Sequence, residues 1–322
     1  MRVVSRLLAI FAAFCICISS PCRAELQELV FMPHWIPQGQ FAGFYVAQDK
    51  GFFHDEGLKV TIRHMGLNSA ETPLDYLTRG QVDITGMQLV QAVEARAAGA
   101  PLLNVMQLSQ RSGLWCVAHR PIRTPQDLNH MKIGTWRSSH RAVCTMLAGM
   151  HGLNIHWVYG SRISSLFIYK AVDATLCFSY NEYIRLLLST GSVARENVLR
   201  FSDFGYTAPE DGLYVTEETY AQRRDALERF ARAVRRGWEY AHSHQAEALA
   251  ISARYIRAGH VSSNKELERM MLDEYLRLQV NPRTGLRDFA PVTQEEFDKL
   301  VDDMVRAHAI PRKVEYAELI RP

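Results

Sequence analysis

The stretch from Leu29 to Val60 constrains this chain more than any other. A short apolar run, Leu29-Val30-Phe31-Met32, stops at Pro33 and is followed at once by His34 and Trp35. Gly39-Gln40-Phe41-Ala42-Gly43-Phe44-Tyr45-Val46-Ala47 then has the small-residue character of a packed helix. Gly51 and Gly57 punctuate the loop that leads to the next apolar run at Val60. A strand that turns directly into a helix sets an aromatic plate beside the free N–H groups of a helix start. That combination at the carboxyl end of a strand suits a flat, polar small molecule.

The same strand-then-helix rhythm continues. Strands are expected at Val60–Arg63, Val82–Thr85, Leu103–Gln107, Leu114–Ala118, Met131–Thr135, Val172–Leu176 and Leu213–Thr216. Helices are expected between them at Thr72–Arg79, Val90–Ala98, His140–Met150 and Tyr183–Thr190, and Thr124-Pro125-Gln126-Asp127 supplies a capping start. This is an α/β pattern with largely parallel sheets. From about Glu217 strands give way to helices whose apolar stripes, Leu227-Phe230-Ala231-Val234-Trp238 and Phe297-Leu300-Val301-Met304, keep helical spacing. No linker rich in Gly, Ser or Pro divides the chain, so two lobes sharing crossovers fit better than two separate beads. Arg79-Gly80-Gln81-Val82-Asp83-Ile84-Thr85 echoes Tyr169-Lys170-Ala171-Val172-Asp173-Ala174-Thr175, by duplication or by chance.

Residues 1–24 read as a secretory leader: basic Arg2 and Arg6, an apolar core from Leu7 to Ile18, and a small-x-small exit at Cys22-Arg23-Ala24. Cleavage after Ala24 and a periplasmic address follow from that reading. Lipidation at Cys22 is disfavoured by Pro21 before it. The apolar core is shorter than the ~20 residues a membrane span needs. The whole chain carries 37 basic and 34 acidic side chains. Removing Arg2, Arg6 and Arg23 with the leader leaves 34 of each. A neutral mature chain is poorly suited to nucleic acid or to an anionic membrane. Three cysteines remain, Cys116, Cys144 and Cys177, enough for one bridge but not for a disulfide scaffold.

In open α/β sheets the ligand crevice lies beyond the carboxyl ends of the strands. The residues immediately after each strand therefore nominate the site. The first lobe offers His34, Trp35, Gln40 and Phe41, then Asn68 and Ser69, then Met87 and Gln88. The second offers Trp136 and the Arg137-Ser138-Ser139 turn, then Tyr180-Asn181-Glu182; the chain returns through Tyr206, Glu210 and Asp211. Aromatic faces sandwich a flat ring, and amides and carboxylates meet its nitrogens. An acid matches an aminopyrimidine, which presents an exocyclic amine beside a protonatable ring nitrogen. Trp35 and Trp136 also fit a plain core, and Asn181 a helix cap. The chain lacks H-E-x-x-H, Cys-x-x-Cys, G-x-S-x-G, a P-loop and G-x-G-x-x-G, so no catalytic group, metal or cofactor is expected. Cys177 near the crevice has no histidine beside it and reads as a buried, inert thiol.

The wording W-x-P-x-x-x-x-x-G-F-Y-V-A-x-x-K-G-F-F-x-x-E-G-L-x-V from Trp35 to Val60 resembles periplasmic proteins that bind thiamine pyrimidine precursors. Their relatives are the yeast-type pyrimidine synthases and the sulfonate- and nitrate-binding proteins. The resemblance implies a two-lobed type II periplasmic-binding fold with ligand in the interlobe cleft. It divides the chain into a leader (1–24), a first part of lobe 1 (25–117), lobe 2 (118–205) and a return to lobe 1 with C-terminal helices (206–322). It further implies a monomer that delivers its ligand to an inner-membrane permease. The synthase branch carries a lysine and a histidine where this chain has Met87 and Gln91, and a cysteine run where it has Tyr206-Thr207-Ala208-Pro209-Glu210. A binder rather than an enzyme is therefore expected. An oxyanion ligand held at Trp136-Arg137-Ser138-Ser139, or a sensor module for a partner kinase, stays open beside it.

Overall fold

The computed structural model describes residues 25–66, 69, 71–136 and 140–321. The leader, Asn68 and the Arg137-Ser138-Ser139 turn lie outside these residues.

The first sheet has the order β2-β1-β3-β10-β4, built from β1 (Gln27–Met32), β2 (Leu58–Ile62), β3 (Ile84–Gln88), β4 (Leu102–Gln107) and β10 (Asp211–Thr216). The second has the order β7-β6-β8-β5-β9, from β5 (Leu114–Ala118), β6 (Lys132–Trp136), β7 (His156–Gly160), β8 (Ala174–Phe178) and β9 (Val198–Arg200). Each is parallel apart from one reversed strand, β10 in the first and β5 in the second. Both reversed strands are those that have just crossed between lobes. β5 pairs with β8 along all five of its residues, so the expected boundary at 117/118 falls inside a buried strand. The outward crossover lies earlier, at 108–113, and the return lies at 201–210.

The expected strands all form, with ends displaced by up to three residues. β7 and β9 carry no sequence signal strong enough to be expected. β7 is an edge strand with only partly buried side chains, and β9 has three residues, so neither shows a clear apolar run. Among the described residues the α-helices are α1 (Ala42–Asp49), α2 (Phe52–Asp55), α3 (Pro73–Thr78), α4 (Leu89–Ala97), α5 (Arg141–His151), α6 (Ile163–Ile168), α7 (Glu182–Thr190), α8 (Glu217–Ser243), α9 (Gln245–Ala258), α10 (Lys265–Leu278), α11 (Gln294–Arg306) and α12 (Tyr316–Leu319). Thr72 and Asp75 close a capping box on α3 behind Pro73. Thr124 and Asp127 do the same, but over a single 3-10 turn, because Asn129 returns to extended backbone just before β6.

The stripe on α8 is buried as its spacing required: Phe230 packs on Phe31 and Trp238 meets Phe44 edge-on. Backbones of α1 and α8 touch at Gly43 and Gly237, where a Cβ on Gly237 would overlap the Gly43 carbonyl oxygen. Among the described residues no helix is long and apolar enough to cross a membrane.

The sequence echo is a structural repeat. Asp83 accepts from Val30 N at 2.7 Å, and Asp173 accepts from Lys132 N at 2.7 Å. Thr85 donates toward the Met32 carbonyl oxygen, and Thr175 toward that of Gly134. Each Asp ties its strand to the first strand of its own lobe, and each Thr hydroxyl does the same one step further on. The helices before them, α3 and α6, occupy equivalent places. Cys116 and Cys177 sit on adjacent, antiparallel β5 and β8, with Cys116 opposite Leu176 and Cys177 opposite Trp115. That register puts them on opposite faces of the sheet. All three described cysteines are buried and free.

Candidate functional site

A cavity of about 420 Å³ opens between the two lobes. First-lobe residues reach it from three strand ends: His34, Trp35 and Ile36 after β1, Met65, Gly66, Ser69 and Glu71 to Leu74 after β2, and Gly86, Met87 and Gln88 at the end of β3. The second lobe adds His140, just before α5, and Ser161 and Arg162 after β7. Its size falls within the ~300–1,000 Å³ usual for small-molecule sites.

Trp35 is held by its backbone. Its carbonyl oxygen lies 2.8 Å from His64 Nδ1, and His64 Nε2 lies 2.9 Å from the Tyr45 hydroxyl. Burial drives His64 down to about 4, so it is neutral at pH 7, with one nitrogen donating to the carbonyl and the other accepting from Tyr45. His34 is backed by a second network. Gln40 Nε2 donates to Asp211 Oδ2 at 2.6 Å and lies 3.4 Å from His34 Nε2, while Tyr275 donates to the same Asp211 oxygen at 2.8 Å. The other oxygen, Oδ1, is 3.7 Å from His34 Nε2. Phe41 packs edge-on against His34.

Helix α4 forms a wall through Gln91, Glu94, Ala95 and Ala98, one helical face. The Glu94 carboxylate is half-buried and has no hydrogen-bond partner among the described residues. Burial raises its pKa, against the pull of Arg141 across the cleft. Glu71, also at the cavity, is tied to Arg79 at 2.6 Å. His140 is driven down to about 3 by burial, with His34 adding in the same direction.

Of the candidate residues, His34, Trp35, Ser69, Met87 and Gln88 line this cavity. Gln40, Phe41 and Asp211 stand behind His34. Trp136 Nε1 donates to Glu182 Oε1 at 2.9 Å, and Phe178 N donates to Glu182 Oε2 at 3.1 Å. Asn181 sits beside that carboxylate and accepts from Arg185 Nε at 2.8 Å. Trp136, Phe178 and Tyr180 stack in series, ending edge-on at Tyr275. Tyr206 is buried. Glu210 Oε1 accepts from Ser112 Oγ and Gly113 N, both at 2.9 Å, and so bridges the two crossovers. These side chains are occupied with protein partners beside the cavity rather than facing it. Asn68 is outside the described residues.

Sequence reasoning missed Glu94 and Arg162. Glu94 had a signal: with Gln91 it makes an i,i+3 polar pair on an otherwise apolar helix face. Arg162 had none, because β7, the strand that delivers it, has no apolar run to announce it. Among the described residues no cluster of three His, Cys, Asp or Glu could hold a metal ion.

Two five-stranded lobes with matching strand order, joined by paired crossovers over a shared cavity, define a periplasmic-binding-protein fold. The alkanesulfonate-binding protein SsuA from Xanthomonas axonopodis pv. citri, solved bound to MOPS, superposes with a TM-score of 0.66 at 15% identity, over 92% of this chain and 100% of that one. By sequence the chain belongs to the NMT1/THI5 like family, matched over residues 38–248. It is 25% identical to the riboflavin-binding protein RibY of Chloroflexus aurantiacus, over 82% of this chain and 76% of that protein. It is 23% identical to a formylaminopyrimidine-binding protein of Halalkalibacterium halodurans, over 87% of each. A 4-amino-5-hydroxymethyl-2-methylpyrimidine phosphate synthase of Aspergillus parasiticus is 21% identical, over 83% of this chain and 81% of that one.

Proposed function

We propose that this protein captures a nitrogen heterocycle of the aminopyrimidine class, a thiamine precursor, outside the inner membrane and hands it unchanged to a permease. The observation that carries the reading is the pairing of Trp35 with a half-buried Glu94, which has no hydrogen-bond partner among the described residues, on the walls of one interlobe cavity. The indole offers a stacking face. The carboxylate accepts from an amine, or from a protonated ring nitrogen. Glu94 thus takes the role that the sequence suggested for Glu182 or Asp211. The reading includes export through the 1–24 leader and no chemistry on the ligand. Met87 and Gln91, which stand where the synthase branch resemblance calls for a lysine and a histidine, both face the cavity. Methionine cannot form a Schiff base, and glutamine has no imidazole to give.

The cavity is roomy for one pyrimidine ring, which favours a fused flavin-type ring as the second reading. A small oxyanion is disfavoured, since Glu71 and Glu94 both border the space. Calorimetry with an aminopyrimidine and with riboflavin tests the assignment. Glu94→Gln should weaken the preferred ligand about 10- to 100-fold, as loss of a charge-assisted hydrogen bond does. Trp35→Ala should cost ~1–3 kcal/mol of stacking and contact. Tight binding of a sulfonate, with neither heterocycle bound, would refute it. So would recovery of a chemically altered ligand by mass spectrometry.

A further inference from the structure

The cavity is bordered by a carboxylate and a guanidinium on opposite lobes. Glu94 projects from α4 of the first lobe without a hydrogen-bond partner among the described residues. Arg162 is the one lysine or arginine among the described residues lining the cavity, and its guanidinium has no hydrogen-bond or ion-pair partner among them. The two do not serve each other: the cation that acts on Glu94 is Arg141. The other lining acid, Glu71, is already paired with Arg79.

The repeat explains why Arg162 borders the cavity. Thr72 and Arg162 are the residues that precede α3 and α6, the equivalent helices of the two lobes, and both border the cavity. In the first lobe this position is spent on a capping box, with the Thr72 hydroxyl 2.8 Å from Asp75 Oδ2. In the second it holds a guanidinium that makes no side-chain cap. One lobe has a neutral, self-satisfied residue where the other has an exposed cation bordering the same space. The neutral His140 beside it supplies no positive charge of its own.

From this juxtaposition we propose that the ligand is two-ended: a nitrogen heterocycle bearing an anionic group, its N–H edge on Glu94 and its anion on Arg162. This rests on the heterocycle reading and adds to it the second charge and the lobe that recognises it. The anion accounts for the volume a bare ring would leave empty. It also gives the second lobe a ligand contact of its own, so that Arg162 closes onto the ligand as the cleft shuts.

The test is calorimetry on the full chain with three probes: 4-amino-5-hydroxymethyl-2-methylpyrimidine, its phosphate monoester, and the analogue with a carboxylate at the 5-position. Inorganic phosphate serves as competitor. At least one anionic probe should bind about tenfold more tightly than the alcohol. Arg162→Ala should bring that ratio close to one, Arg162→Lys should keep part of it, and Glu94→Gln should weaken all three probes together. Equal binding of alcohol and anions, or an anionic preference that survives Arg162→Ala, overturns the two-ended ligand and leaves the heterocycle reading standing. Competition by inorganic phosphate as strong as that by the ester overturns it too, since the site would then be a plain anion site. If no probe binds, the aminopyrimidine reading fails and this inference with it.

Discussion

Replacing Glu210 by glutamine should make the protein more stable, and increasingly so as pH rises. The Glu210 side chain is 2% exposed and bridges the two crossovers through Ser112 and Gly113. Burial lifts its carboxyl from the ordinary 4.5 to about 8; the hydrogen bond from Ser112 opposes this and the adjacent Asp211 carboxylate reinforces it. A group that holds its proton more tightly when folded lends stability that is complete below pH 4.5 and is lost as pH climbs to 8. At 1.36 kcal/mol per pH unit, the loss reaches about 5 kcal/mol by pH 8. Glutamine keeps the carbonyl acceptor for Ser112 and Gly113 and cannot ionise. The advantage of Glu210→Gln over wild type should therefore grow from near zero at pH 4.5 to about 5 kcal/mol at pH 8. With about 2.1 cal/mol/K per residue of unfolding entropy, that is roughly 8 °C in Tm. Paired thermal melts from pH 4.5 to 9 measure it directly. A difference that stays flat with pH, or a variant less stable throughout, would show that Glu210 is ionised in the fold and that its two hydrogen bonds depend on that charge.

Two further outcomes follow from the packing. Gly237→Ala should cost at least ~1–3 kcal/mol in urea melts, because the new methyl overlaps the Gly43 carbonyl and stands 2.9 Å from Ala47 Cβ, both on α1. His64, depressed from 6.5 to about 4 by burial, favours the neutral folded form. Its stabilisation is complete above pH 6.5 and declines toward pH 4, by about 3 kcal/mol. His64→Gln should flatten that acid slope, and an unchanged slope would refute the buried-imidazole account.

The α/β class, the two-lobe plan and most strands were legible because each buried strand is a continuous apolar run and each helix keeps its period. Boundaries were less so: 117/118 falls inside β5, and nothing local in Leu114–Ala118 says which sheet the strand will join. The candidate cavity was legible through His34, Trp35, Ser69, Met87 and Gln88, which come at or just after strand ends. It was illegible at Glu182, Glu210 and Asp211, because a carboxylate beside the crevice has the same sequence signature whether it faces a ligand or bonds to Trp136, Ser112 or Tyr275. Which oxygen meets which donor is a property of contacts 46 to 171 residues apart, such as Trp136 with Glu182 and Gln40 with Asp211. No window of sequence contains them.

The placement of β10 fixes the order in which this molecule can be completed. The second lobe's sheet is contiguous in the chain, from Leu114 to Arg200. The first sheet needs Asp211–Thr216 inserted between β3 and β4, and Ile320 bridges to Asn104 near the very end. A chain emerging from its amino terminus therefore carries β1 to β4 as an unfinished sheet while the later-made lobe closes around its own core. The lobe begun first is the lobe finished last. Until α8 arrives, the apolar face of β1 and α1, Phe31 and Phe44 included, has no helix to cover it. That interval is when the nascent protein most needs a chaperone or an unfolded-chain export route.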